Sequence, residues 1–233
     1  MGSATIGGLQ DNMVVACGKH FPGHGDTATD SHKELPVVDA GLQRLRDTEF
    51  PPFQQAIRYG VAGLMTAHVL YRALDPEAPA TLSSAVIQRL LREEFRYEGV
   101  VFTDDLEMHA IIDHDGIGEA AVRSFVAGCD VLLICKDQDR VMTAMQAMER
   151  AVKDGRVTQE RLDQSLARVA KLKARYLHPY KPVTISDARL VVGCRSHKVL
   201  LDSWHKAYAR IPKPTLVERG QAAPAHDSPV THV

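Results

Sequence analysis

This sequence has no surplus of charge of either sign: 28 lysines and arginines stand against 29 aspartates and glutamates, a net −1 at pH 7 with histidine neutral. A nucleic-acid or membrane-surface partner leaves a basic patch in a chain, so neither is expected. Cysteine is scarce. Cys17, Cys129, Cys135 and Cys194 form no CxxC pair and no zinc spacing, and four are too few to staple a domain of this size, which points to a reduced, cytoplasmic compartment. No apolar run approaches the roughly 18 residues of a membrane span. The opening MGSATIGGLQ has no apolar signal core, and there is no internal repeat. What remains is a chain of 233 residues, 45% of them hydrophobic, able to bury a core as one domain, or one domain with a tail.

Four short apolar runs stand out: VVAC (Val14 to Cys17), AGLMTA (Ala62 to Ala67), GVVFT (Gly99 to Thr103) and DVLLIC (Asp130 to Cys135). Each is of strand length and continuous rather than alternating, as parallel strands covered on both faces are. Helix-period segments lie between them. GLQRLRDTEFPPFQQAIRYG contains one, LSSAVIQRLLREEFRYEG starts at a serine cap and ends at Gly99, and GEAAVRSFVAGC ends at Gly128. DQDRVMTAMQAMERAVKDG and the threonine-capped VTQERLDQSLARVAKLKARY follow the last strand. Core packing accounts for the methionines of the former. This alternation means an α/β fold on a parallel sheet, and the spacing suits either a doubly wound sheet or four units of a (βα)8 barrel. Beyond Lys181 the pattern weakens. One more helix is expected in SHKVLLDSWHKAYAR, and the end of the chain is Pro-, Ala- and polar-rich.

The polar clusters follow the expected strands, where both α/β architectures place active sites. KHFPGHGDTATDSH, Lys19 to His32, holds three histidines and two aspartates around Pro22, Gly23 and Gly25; the proline and glycines argue for a loop of special geometry. Asp30 and His32, two apart, can meet through a local turn. An aspartate on one imidazole nitrogen orients the ring and leaves the other free to exchange a proton, which makes a general acid/base dyad. His20, His24, Asp26, Asp30 and His32 also allow a metal site by residue type, but no HxH or HExxH spacing supports one, and no metal or cofactor is expected. In FTDDLEMH, successive side chains of a strand point to opposite sides, so one of Asp104 and Asp105 faces the cavity as nucleophile, base or metal ligand. The other caps or braces the following loop.

KHFPGHGDTATDSH, followed by MTAHV and then FTDDLEM, resembles the family 3 glycoside hydrolases, specifically the β-N-acetylhexosaminidase branch that includes the peptidoglycan-recycling β-N-acetylglucosaminidases. The resemblance covers Val14 to about Tyr176. It implies a TIM barrel and a retaining mechanism in which an aspartate attacks the anomeric carbon to give a covalent glycosyl-enzyme. The aspartate after the Ser or Thr of the family's [ST]DD motif is Asp104, and the loop histidine with its aspartate matches His32 and Asp30. Lys19 and His20 match the pair that binds sugar hydroxyls, and His68 matches the histidine of the MTAH strand end near the same subsite. His24 and Asp26 shape the loop.

A family barrel has this motif after its fifth strand, so the resemblance leaves strands five to eight here and lacks one to four. MGS at the start is then an added tag or a new start codon. The expected organisation is the C-terminal half of the barrel over residues 1–180, a helical extension over 181–211 and a disordered tail over 212–233. An open barrel face, with side chains such as Val15, Leu64, Val101 and Leu133, calls for a cover, either a second copy in a two-fold dimer or a separate N-terminal half. The expected substrate is an N-acetylglucosamine-containing oligosaccharide or muropeptide. The alternatives are a glycoside phosphorylase of the same branch and a catalytically inactive half-barrel serving as a binding or assembly module.

Overall fold

The computed structural model describes residues 1–25, 27, 35–180 and 182–209, with His114 through its backbone alone. The chain divides into two units at Tyr180/Lys181.

The first unit opens with α1 (Gly2–Gln10) and β1 (Cys17–Phe21), followed by the short β2 (Val37–Val38). The next helix runs through α2 (Leu42–Arg44), a π-helical segment (Leu45–Glu49) and α3 (Phe50–Arg58). The wide turn falls just before Pro51 and Pro52, which have no N–H to return to the carbonyls four residues back, and the Phe50 N–H reaches the Leu45 carbonyl. After β3 (Gly63–Thr66) and β4 (Leu70–Tyr71) come a 3₁₀ turn (Ala80–Leu82) and a π-helix (Ala85–Glu94). The Ser83 hydroxyl caps this helix by accepting from the Val86 N–H. Helix winding stops at Phe95 rather than at Gly99, because Arg96 turns the chain with φ 55°. Then follow β5 (Val100–Asp105), α4 (His109–Ala127), β6 (Val131–Leu133), α5 (Gln138–Lys153) and α6 (Gln159–Leu177). Gly116, at φ 67°, breaks α4 into two helical stretches, and Gly128, at φ 126°, ends it. Asp137 and Thr158 cap α5 and α6 through their side chains.

Strands β1, β3, β5 and β6 form one parallel sheet in chain order, and β2 pairs in parallel with β4. Sequential order is the arrangement of consecutive βα units of a barrel. A doubly wound sheet would reverse its strand order at a switch point.

The first strand differs from the expected VVAC. It begins at Cys17 and holds Lys19 and His20 within it, because pairing with β3 starts where the Gly63 N–H reaches the Ala16 carbonyl. One residue earlier, the Ala62 N–H is already taken by Gln10 Oε1 at 2.8 Å. Gln10 also donates to the Gly60 carbonyl, which fastens α1 to the approach to β3. Likewise β5 extends beyond GVVFT to include both aspartates as its last two residues.

Leu64 and Val101, expected on the open barrel face, are instead fully buried on the helix side, with Phe50 and Phe53 of α3 and Ile87, Leu90 and Leu91 of the π-helix. The register pairs Leu64 with Val101 and Met65 with Phe102. Alternation therefore puts Met65 and Phe102, both half-buried, on the other face. A continuous apolar run carries no alternation from which to read that choice. Two smaller clusters pack α4 against α5 and against Val157.

The second unit contains α7 (Ile185–Val191), closed by a Thr184–Asp187 capping box, and α8 (Arg195–Tyr208) within SHKVLLDSWHKAYAR. Residues 212–233, expected as a tail, lie outside the described residues. Among the described residues no helix is long and apolar enough to cross a membrane.

Candidate active site

The C-terminal ends of β1, β3 and β5 bring Lys19, His20, His68, Asp104 and Asp105 to one end of the sheet. Asp104 Oδ2 lies 3.3 Å from His20 Nε2, both side chains about one-quarter exposed. Its other oxygen, Oδ1, accepts from the Asp105 N–H at 2.9 Å, which fixes the side-chain rotation. Asp105 turns away: its Oδ1 accepts from the Glu107 N–H, and its carbonyl from the Met108 N–H. The adjacent carboxylates thus divide as strand alternation requires, one toward His20 and one bracing the loop.

Burial holds the His20 imidazole below the ordinary histidine range, against the opposing pull of Asp104 and with Lys19 and His24 adding to the depression. A neutral His20 with its proton on Nε2 turns that N–H toward Asp104 and keeps Nδ1 as an acceptor. Lys19 is exposed, and the Lys19–His20 and Phe21–Pro22 peptides are cis. The start of the FPGHG loop is tied down by the Tyr71 hydroxyl, which donates to the Gly23 carbonyl at 2.6 Å. Gly23 has φ 143°, and a Cβ there would meet Glu49 Cβ at 2.7 Å, so glycine is required twice over. His24 lies edge-on to His20, ring centroids 5.8 Å apart, and pairs with the Thr27 hydroxyl. Asp26, Asp30 and His32 lie outside the described residues.

His68 was expected near the sugar. It is instead 1% exposed, with both ring nitrogens engaged inside the protein. Nε2 is 3.0 Å from the Asp105 carbonyl and Nδ1 is 2.7 Å from Thr81 Oγ1. Burial keeps its pKa low despite the Asp105 carbonyl and the two carboxylates. The neutral ring therefore donates from Nε2 to the Asp105 carbonyl and sets Nδ1 against the Thr81 hydroxyl, whose one proton also reaches the Ala67 carbonyl. The buried ring braces the Asp104–Asp105 turn.

Sequence reasoning missed Thr81 and Glu107. Thr81 sits in APATLSS, which has no periodic signal. Glu107 is 7% exposed, and its Oε2 accepts from the N–H groups of Cys135 and Lys136 while Oε1 faces Arg140. Burial raises its pKa, but the Lys136, Asp137 and Cys135 N–H groups and Arg140 win and hold it below the usual carboxylate range. A third carboxylate just after the pair, before a helix, was the available hint. Cys135, though exposed, is no ready nucleophile, since partial desolvation and the nearby Asp105, Glu107 and Asp104 push its thiol up.

A carboxylate at a strand's C-terminal end, one-quarter exposed and facing a histidine that burial keeps neutral, suits attack on an electrophilic carbon. Comparison with known proteins supplies the family. The family model "Glycosyl hydrolase family 3 N terminal domain" matches residues 1–172. A β-hexosaminidase of Nitrosomonas eutropha is 37% identical over 172 residues, which is 72% of this chain and 49% of that protein. A family 3 β-N-acetylglucosaminidase structure from a Paenibacillus species superimposes with a TM-score of 0.82 at 42% identity, over 86% of this chain and 38% of that one. A β-glucoside phosphorylase structure gives 0.77 at 27% identity, over 84% and 37%. The chain spans about half of these relatives' length or less, and the family-model match over residues 1–172 makes it a member of the glycosyl hydrolase family 3 N-terminal domain family.

Proposed function

We propose that the chain carries the reaction centre of a retaining β-N-acetylhexosaminidase, acting on terminal non-reducing β-linked N-acetylglucosamine. The observation that carries this reading is Asp104 Oδ2 at 3.3 Å from His20 Nε2 with Asp105 turned into the loop. This division of the pair supports Asp104 as the nucleophile. The relatives named β-hexosaminidase and β-N-acetylglucosaminidase point to the same substrate class.

In the proposed reaction, Lys19 and His20 hold sugar hydroxyls, His20 accepting on Nδ1. The Asp104 oxygen bonds to the anomeric carbon as the bond from that carbon to the leaving oxygen breaks. His32, oriented by Asp30, gives that oxygen its proton. His32 then takes a proton from water as the water oxygen attacks the same carbon and Asp104 departs as carboxylate. Two inversions leave the β configuration intact. With a histidine–aspartate dyad as acid/base, the separation between two carboxylates does not report the stereochemistry.

A second reading, phosphorolysis, is favoured by the likeness to a β-glucoside phosphorylase. A histidine acid/base does not repel an incoming phosphate as a carboxylate would. Incubation with p-nitrophenyl N-acetyl-β-glucosaminide decides. Release of nitrophenol and free sugar without phosphate supports hydrolysis, and a sugar 1-phosphate formed only with phosphate supports phosphorolysis. No release under either condition makes the chain a binding or assembly module.

A further inference from the structure

At the other end of the sheet from Asp104, the N-terminal ends of β3 and β5 and one face of α6 enclose a cavity of about 360 Å3. Four cations line it: Arg96, Arg168, Lys171 and Arg175, with Glu98 as the single acid. Arg168, Lys171 and Arg175 recur at helical spacing along one face of α6. From Gln164 to Leu177 that helix contains no acid to pair with them. Arg168 bonds Asp130, and Arg175 lies over the Tyr176 ring at 5.1 Å. Arg96 comes from the turn before β5, the same residue that takes φ 55°.

A cationic helix face is ordinarily solvated, and alone it would carry nothing. What sets this one apart is Tyr176, a lining residue 6% exposed, whose hydroxyl is buried without a hydrogen-bond partner. Buried hydroxyls are nearly always bonded, so an orphan donor in a lining rich in cations calls for a ligand acceptor. Guanidinium forks match the oxygens of phosphate in geometry as well as charge. The volume lies at the lower end of small-molecule pockets, and a chain of net −1 does not attract long polyanions.

We propose that this cavity binds a phosphate-bearing small molecule of monosaccharide size, with Arg96, Lys171 and Arg175 on the phosphate and the Tyr176 hydroxyl donating to it. The site is separated from Asp104 by the length of β5, so it is distinct from the sugar-binding end and does not rest on the proposed catalytic reading.

The test is calorimetric titration of the intact chain with glucose 6-phosphate, with glucose as the uncharged control. Glucose 6-phosphate is expected to bind and glucose not. Lys171→Glu and Arg175→Glu should each weaken binding by about tenfold or more, as lost charge-assisted contacts do. Tyr176→Phe, which removes only the hydroxyl, should weaken it about fivefold. Asp104→Asn should bind with unchanged affinity. Absence of binding at millimolar ligand overturns the proposal. So does binding that Asp104→Asn abolishes, or binding that Lys171→Glu and Arg175→Glu leave intact while circular dichroism shows both variants folded.

Discussion

His68 Nε2 lies 3.0 Å from the carbonyl of Asp105, thirty-seven residues away in the chain. Through that bond a buried ring on the loop after β3 fixes the turn at the end of β5, whose preceding residue is Asp104. The site is therefore held by buried groups. Thr81 supports His68, while Glu107 ties the turn to the loop after β6.

Replacing His68 by alanine leaves the Asp105 carbonyl and the Thr81 hydroxyl without this partner in a dry site. About 1–3 kcal/mol of stability should be lost, together with a fall in kcat larger than any change in KM, since the sugar is not contacted. Denaturant unfolding and steady-state kinetics on an aryl glycoside check both. A rise in KM alone would restore His68 as a sugar ligand.

Histidines held neutral by burial also set the sign of the pH dependence. His20 and His68 have folded pKa values below the ordinary 6.5. Below that value the unfolded chain binds more protons than the folded one, so stability falls as pH drops through 6.5 and on toward the folded values. Each group contributes at most about 1.4 kcal/mol per pH unit. Chemical denaturation between pH 8 and 5 should show the decline, and His68→Gln should flatten it.

Asp130 is the anchor at the other end of β6. Its carboxylate accepts from Arg92 at 2.7 Å, Arg168 at 3.1 Å, the Ser165 hydroxyl at 2.7 Å and the Val101 N–H at 3.0 Å, with the side chain fully buried. Asp130→Ala strands Arg92 in the interior and should cost about 3–5 kcal/mol. A thermal melt within a degree or two of wild type would refute the network's role.

The loop dyad is tested by leaving groups. His32→Ala should slow glycosides with poor leaving groups by about 100-fold or more, while activated aryl glycosides, which need little protonation, lose much less. Asp30→Asn should give a milder version. Equal losses across the series would make the loop structural.

Much of this architecture was legible from residues. The parallel α/β order followed from four continuous apolar runs separated by capped helical segments, and the split of Asp104 from Asp105 followed from strand alternation. The inward face of the sheet was not legible, because Leu64, Met65, Val101 and Phe102 are all apolar and only the ladder register sorts them. The start of β1 was missed for a related reason: Gln10, far from any strand signal, takes the N–H that would have extended the pairing. The partner of His68 was not legible either, because nothing in MTAHV announces Thr81, which holds the buried ring. Long-range polar partners of this kind leave no periodicity in the sequence.

The central claim is that Asp104 is the nucleophile, and covalent trapping tests it most directly. Incubated with a fluorinated, slowly turned-over N-acetylglucosaminide and analysed by peptide mass spectrometry, the wild-type chain should carry the glycosyl mass on the peptide containing Asp104. Asp105→Asn should still be labelled, and Asp104→Asn should not. Label retained in Asp104→Asn and lost in Asp105→Asn would contradict the account.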